Sequence, residues 1–351
     1  MFSYQMDSVK ADETVDRPAT PPIRFEDIPG LNIRPEQTTV DTVLGKRRTI
    51  KTITTIEIAF IVIAVIGILS TIGLTITVIV NEVKDANTSS DLIFAIVLLI
   101  NALFCLYYIC DGVLFESAYE IVVFVGATTI LLIYCIISFS QDKDDVIKTV
   151  RFYMIIVLGP FCVVLGSLLA KSYYESKNII FRTVGASVEL QDMCGLMLFF
   201  QTLLKFDLQL EVSMVVFVLS DSMDNIGTTD IIVLSVGVVY SLVWVALGFF
   251  SVRYESKKLV ILFFLTSIAE PAYIIYKVID VWVIADEEDL IKSAIITCGI
   301  IGLIIRIVVC ITMYFVTKNF GNGLKEKVYG QSSGDTAAVI GNESQVPPQG
   351  V

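Results

Sequence analysis

The stretch IAFIVIAVIGILSTIGLTITVIV, residues Ile58–Val80, contains no charged side chain. It is long enough to cross a membrane as one helix, because the hydrocarbon core of a bilayer needs about 20 residues of α-helix. Seven further apolar runs follow it: Leu92–Cys110, Ile121–Phe139, Phe152–Ala170, Met193–Leu219, Ile231–Val252, Leu259–Ile279 and Ser293–Val316. The sequence therefore predicts an all-α polytopic membrane helix bundle of about eight transmembrane helices.

The amino-acid composition excludes several other classes of protein. Charged residues make up only 17% of the 351 positions, whereas a soluble domain has about 25%. The chain has no histidine, so imidazole is unavailable as a metal ligand, proton shuttle or catalytic base. The net charge of -11 leaves no basic face for phosphates. We therefore expect no enzyme, no cofactor, no metal and no nucleic-acid partner.

Three segments of different composition divide the chain. Residues 1–54 carry acidic side chains and scattered prolines, and they end in a basic cluster. Residues 55–318 hold the apolar runs, and residues 319–351 are again small and polar. This pattern predicts a transmembrane bundle between two disordered cytosolic tails, whose cytosolic partners are unknown.

Basic residues in the short loops predict the orientation of the bundle, because cytosolic loops are enriched in lysine and arginine. The cluster before the first run places the N-terminus in the cytosol, and eight spans return the C-terminus to the same side (N-in/C-in). The loop Ser140–Arg151 disagrees, since it should lie outside yet carries three bases. Asn87 begins an Asn-x-Ser glycosylation motif in the first outer loop. We expect a multi-pass protein of the plasma membrane or an endomembrane.

Charged and polar residues lie near the midpoints of three predicted spans. An ionisable group at that depth costs at least about 2.5 kcal/mol on insertion scales, so it usually pairs, lines water or has a function. The candidate layer consists of Lys205, Asp207, Gln209, Glu211, Glu270 and Arg306. The first four spans contain almost no such residues, and Asn101 is the most polar. They therefore read as a scaffold for the second half.

Helical geometry separates the polar residues of the fifth span into two stripes. At 100° per residue, Gln201, Lys205 and Gln209 lie along one side of the helix. Asp207 and Glu211 form a second stripe, about 200° from Lys205. These residues cannot pair with Lys205 on one helix, so the pattern predicts a central helix with polar partners on two sides.

Glu270 precedes Pro271 near the middle of the seventh span. Proline cannot donate to the carbonyl of Ser267, so the helix should bend beside a carboxylate. Two interpretations stay open: a cation or proton site, or an ion pair between Glu270 and Arg306 of the next span. The layer contains two basic and three acidic side chains. If each base pairs with one acid, one carboxylate is left without a base. That carboxylate would hold a proton or recruit a cation.

The run Leu203-Leu204-Lys205-Phe206-Asp207-Leu208-Gln209 resembles an uncharacterised invertebrate family of multi-pass membrane proteins, known as a domain of unknown function. The resemblance covers roughly residues 50–320. It implies a multi-pass fold but carries over no activity and no site residues.

The charged layer favours a transporter or channel for an ion or small polar solute, because charges inside a membrane commonly mark transport pathways. Two alternatives stay open. A receptor or sensor would use the layer as a two-state switch and signal through the cytosolic tails, and a structural or adaptor protein would use it to fix the register of its helices.

Overall fold

The computed structural model describes residues 39–42, 45–48, 53–84, 90–141, 146–221, 228–284 and 290–329. Helices account for nearly all of them. The helices are α1 Thr55–Lys84, α2 Ser90–Leu114, α3 Ala118–Gln141, α4 Val146–Ser176, α5 Asn178–Val184, α6 Val188–Asp221, α7 Thr228–Tyr254, α8 Lys257–Thr266, α9 Ala269–Ile284, α10 Leu290–Lys318 and α11 Leu324–Tyr329.

Seven helical stretches among the described residues are long and apolar enough to cross a membrane. They overlap seven of the eight predicted runs, and α8 with α9 forms the seventh of these runs. The remaining run, the third, lies in α3, whose apolar stretch Ala118–Ile133 is shorter. The protein is thus an all-α, multi-pass membrane helix bundle. Its orientation stays a prediction.

Two strands occur inside the predicted N-terminal tail. β1, Thr39–Thr42, pairs antiparallel with β2, Gly45–Arg48, and this hairpin lies against α5 and α11. This corrects the expectation of an irregular chain over this part of residues 1–54. The earlier part of that tail lies outside the described residues, as do Asn87 and residues 330–351.

The helical bundle also extends beyond residue 318, where the second tail was predicted to begin. Gly321 and Gly323 have φ angles of 87° and 82°, which glycine adopts readily, and they turn the chain after α10. Glu255 accepts hydrogen bonds from the backbone N–H groups of Gly321 at 2.9 Å and Lys325 at 3.2 Å. These contacts dock α11 on the bundle.

The buried core falls into clusters that α6 connects. One cluster joins the four helices α1, α2, α3 and α4 around Phe60, Tyr108 and Phe124. Another joins α5, α6, α7, α8, α10 and α11 around Phe200 and Trp244. A third brings α2, α6, α9 and α10 together. Since α6 contributes to the second and third clusters and contacts α2 and α3, it lies between the two halves of the chain.

Candidate functional site

The central helix α6 carries most of the candidate residues. Its apolar stretch is 50% buried, against 22–44% for the other six stretches that could cross a membrane. Asp207 and Gln209 are only 1% and 2% exposed. The predicted central position is confirmed, because partners surround α6 on the sides of both polar stripes.

One side of α6 faces Arg306 of α10. Three carboxylates contact its Nη2 atom: Asp207 and Glu211 of α6, and Glu270 of α9. Asp207 Oδ2 lies 2.8 Å from Nη2, at ion-pair distance but without the alignment of a hydrogen bond. We call these four residues the arginine cluster. Its arginine is 3% exposed, so the charges are removed from solvent.

The indole ring of Trp244 covers the arginine cluster. The guanidinium carbon of Arg306 lies 3.7 Å from the centre of the ring, and Phe263 stacks on Trp244 at 4.4 Å. A desolvated cation–π contact of this kind contributes about 2 kcal/mol. Arg306 Nε and Nη1 have no hydrogen-bond acceptor within the part of the chain that the structure describes. The cluster therefore retains donors that a water or solute could engage.

A break in the helix places Glu270 in this cluster. α8 ends at Thr266 and α9 begins at Ala269, so the predicted bend before Pro271 is present. Glu270 occupies the first turn of α9, where the exposed N–H groups favour a negative charge. The predicted pairing of Glu270 with Arg306 is likewise present. The carboxylate of Glu270 thus lies next to the break between α8 and α9 and not in the middle of a continuous helix.

The opposite side of α6 presents Lys205 to α2 and α3. Its Nζ atom lies 2.6 Å from Asp111 Oδ2 and 2.6 Å from Glu120 Oε1. The hydroxyl of Thr202 donates to Glu120 at 3.1 Å, and that of Tyr107 donates to Asp111 at 3.2 Å. We call these five residues the lysine cluster. Lys205 therefore contacts two acids, and neither belongs to its own helix.

Sequence reasoning missed Asp111 and Glu120 because they flank the apolar runs and read as loop residues. Only residues 115–117 separate α2 from α3, so neither acid can reach bulk solvent through a long loop. That short gap was the signal that could have located them. The first four spans are accordingly more than a scaffold, since they supply both carboxylates that contact Lys205.

Amide side chains continue the polar row beyond the lysine cluster. Gln209 Nε2 donates to Asn101 Oδ1 at 2.5 Å, and Asn101 Nδ2 donates to Ser213 Oγ at 3.1 Å. The row on α6 then runs from Thr202 to Ser213. At 1.5 Å per residue it extends for about 17 Å, roughly half of the hydrocarbon thickness.

The arginine cluster holds more acids than bases. Three carboxylates (Asp207, Glu211 and Glu270) contact one base, Arg306, among the residues that the structure describes. Three minus one leaves two negative charges, so neutrality in a low-dielectric interior needs two protons or other monovalent cations. The sequence predicted an excess of one carboxylate because it counted Lys205 as a base of the same layer, whereas Lys205 contacts Asp111 and Glu120 instead.

These helices and buried charges define an integral, multi-pass membrane protein. The chain belongs to the family described as a domain of unknown function (DUF7789), whose model matches residues 44–171 and 184–315. The match confirms the resemblance to an uncharacterised domain family; an invertebrate origin and the run around Lys205 as its signature stay predictions. No curated protein and no solved structure matches the chain.

Proposed function

We propose that the protein is a transporter that couples the movement of a small polar solute to protons held by its buried carboxylates. The observation that carries this proposal is the excess of two carboxylates over the single base of the arginine cluster. Acids in such an excess exchange protons or cations as part of their own charge balance. Intramembrane acids of this kind are typical of ion pathways and proton relays.

The junction between α8 and α9 offers a way for protons to reach and leave the arginine cluster. Glu270 and Pro271 lie at the irregular junction of α8 and α9, while Arg306 lies on the continuous helix α10. A small movement at the junction would separate Glu270 from Arg306. Protonation of Glu270 would lower the cost of that separation, since a neutral acid loses less than a carboxylate when it leaves a buried base.

A structural role is the second candidate, and the ion pairs themselves favour it. Both bases contact at least two acids, and such pairs could serve only to fix the register of α6 against α2, α3 and α10. A receptor that switches between two arrangements of the same pairs would share this geometry. Solute-driven flux distinguishes transport from both alternatives.

The test uses purified protein in lipid vesicles that contain a pH-sensitive dye and carry a potential negative inside. A mixture of amino acids, sugars and nucleosides is added outside. We expect internal acidification above that of empty vesicles, and its loss in Glu270→Gln. The matched control is Glu175→Gln, which neutralises an exposed acid paired with Lys171 outside the clusters. If vesicles with the protein acidify no more than empty vesicles when the mixture is added, the proposal is overturned.

A further inference from the structure

Basic residues gather at one corner of the bundle, where the α7–α8 turn meets the chain that follows α10. Glu255 joins the two segments, because it accepts hydrogen bonds from the backbone N–H groups of Gly321 and Lys325. We call residues 253–258 together with residues 318–329 the basic corner. Its bases are Arg253, Lys257, Lys258, Lys318, Lys325 and Lys327, and its acids are Glu255 and Glu326. The corner is therefore basic, although the whole chain has a net charge of -11.

The five lysines of the basic corner are not neutralised by acids. All five are exposed, and none forms an ion pair within the part of the chain that the structure describes. Glu255 is occupied by backbone N–H groups. Three bases in or beside α4 and α5 differ, since each contacts an acid in the pairs Lys171–Glu175, Lys177–Asp192 and Arg182–Glu116. The charge of the corner is thus available to an anionic partner.

The basic corner lies at the boundary of the stretches that could cross a membrane. The stretches of α7 and α10 end at Tyr254 and Lys318, and that of α8 with α9 begins at Lys257. Tyr254, Tyr314 and Phe315 are exposed beside these lysines, and Lys318 Nζ lies 4.7 Å from the centre of the Tyr314 ring. Exposed aromatic rings are enriched where a membrane meets water. The lysines therefore lie near the depth of the lipid headgroups.

The N-terminal hairpin adds basic residues to the same end of the bundle. Its second strand, β2, contains Lys46, Arg47 and Arg48 and contacts α11. Its first strand, β1, contains one acid, Asp41. The formal charge around α11 therefore stays positive when the hairpin is included.

We propose that the basic corner binds the anionic headgroups of acidic phospholipids, such as phosphatidylserine, in the leaflet on its own side of the membrane. Clusters of four to eight bases directly beside a transmembrane helix attract such lipids. The lysine ammonium groups bind the headgroup, while the exposed rings lie beside the upper part of the acyl chains. The predicted orientation places the corner on the cytosolic side, where acidic lipids give the leaflet its negative surface potential.

The test uses native mass spectrometry, which counts the lipids that stay bound to the purified, full-length protein in detergent. Phosphatidylserine and phosphatidylcholine with the same acyl chains are added in separate titrations. We expect phosphatidylserine to reach half-occupancy at a concentration at least ten times lower than phosphatidylcholine. Equal binding of the two lipids to wild type overturns the inference, and this comparison depends on no variant.

Two triple variants locate the surface. The corner variant is Lys257→Gln/Lys258→Gln/Lys325→Gln, and the matched control is Lys171→Gln/Lys177→Gln/Arg182→Gln. The corner variant loses three unpaired charges and should lose the preference for phosphatidylserine. The control loses three bases that contact acids, so it should keep the preference. A preference that survives in the corner variant, or that falls equally in both variants, overturns the inference.

Discussion

Lys205 and Asp207 lie two residues apart on α6 and bind partners on opposite sides of it. Lys205 contacts Asp111 and Glu120 of α2 and α3, whereas Asp207 lies 2.8 Å from Arg306 of α10. One helix therefore separates two groups of buried charge that belong to different halves of the chain. A displacement of α6 would alter both groups together.

Removal of Arg306 should destabilise the protein strongly. Arg306→Gln would leave three carboxylates without their base, and the loss of one partner of a buried pair costs about 3–5 kcal/mol. Asp207→Asn should be nearly neutral, because Glu211 and Glu270 still contact the guanidinium. Thermal unfolding in detergent compares the two variants. A larger loss in Asp207→Asn than in Arg306→Gln would contradict the assignment of Arg306 as the shared base.

Lys205 and Glu120 should be energetically coupled. Lys205→Gln removes the cation that lies 2.6 Å from both Asp111 and Glu120, so it should lower the stability by several kcal/mol. Neutralising Glu120 in the same chain removes one of those charges. The double variant Lys205→Gln/Glu120→Gln should therefore be more stable than Lys205→Gln, with a coupling energy of about 1–3 kcal/mol. If the stability losses of the two single variants add up to the loss of the double variant, the contact between Lys205 and Glu120 contributes nothing to stability.

Trp244 should stabilise the arginine cluster through its ring. Trp244→Leu removes the π surface over Arg306 and the stack on Phe263, and it also creates a void. We expect a loss of about 3 kcal/mol or more from packing and cation–π contact combined. Trp244→Phe keeps an aromatic ring and loses the N–H bond to the carbonyl of Phe263. Equal melting temperatures for the two variants would contradict a role for the ring.

Gly248 should be required for close contact between α6 and α7. An added Cβ would lie 2.8 Å from Leu204 Cδ1 and 3.1 Å from Phe263 Cε2. Gly248→Ala should lower the stability by about 1–3 kcal/mol despite the better helix propensity of alanine. Gly237→Ala on the same helix meets nothing within 4 Å and supplies the control. Similar melting temperatures for both variants would mean that the helices separate at no cost.

Much of the fold follows from the lengths of the apolar runs, and part of the site follows from helical periodicity. The opposite stripes of Lys205 and Asp207 predict a helix with two polar sides, and Pro271 predicts the break beside Glu270. Periodicity describes one helix at a time, however, and does not reveal which helices are neighbours. The partners of Lys205 therefore came only from the tertiary structure.

The C-terminal helix α11 shows a second limit of the sequence pattern. Its six residues lack a run of apolar side chains, and small polar residues precede and follow it in the sequence. It docks through Glu255 and through the hydroxyl of Tyr329, which accepts a hydrogen bond from Gln201 at 3.0 Å. These contacts join residues far apart in the chain, and no local pattern signals them.

Infrared spectroscopy of the purified protein at neutral pH tests the central claim most directly, because protonated and ionised carboxyl groups absorb at different frequencies. The three carboxylates that share one base in the arginine cluster predict a protonated carboxyl band in wild type. The band should weaken when Asp207, Glu211 and Glu270 are changed together to their amides and persist in Glu175→Gln. A wild-type spectrum with ionised carboxylates alone, in buffer free of metal cations, would contradict the account.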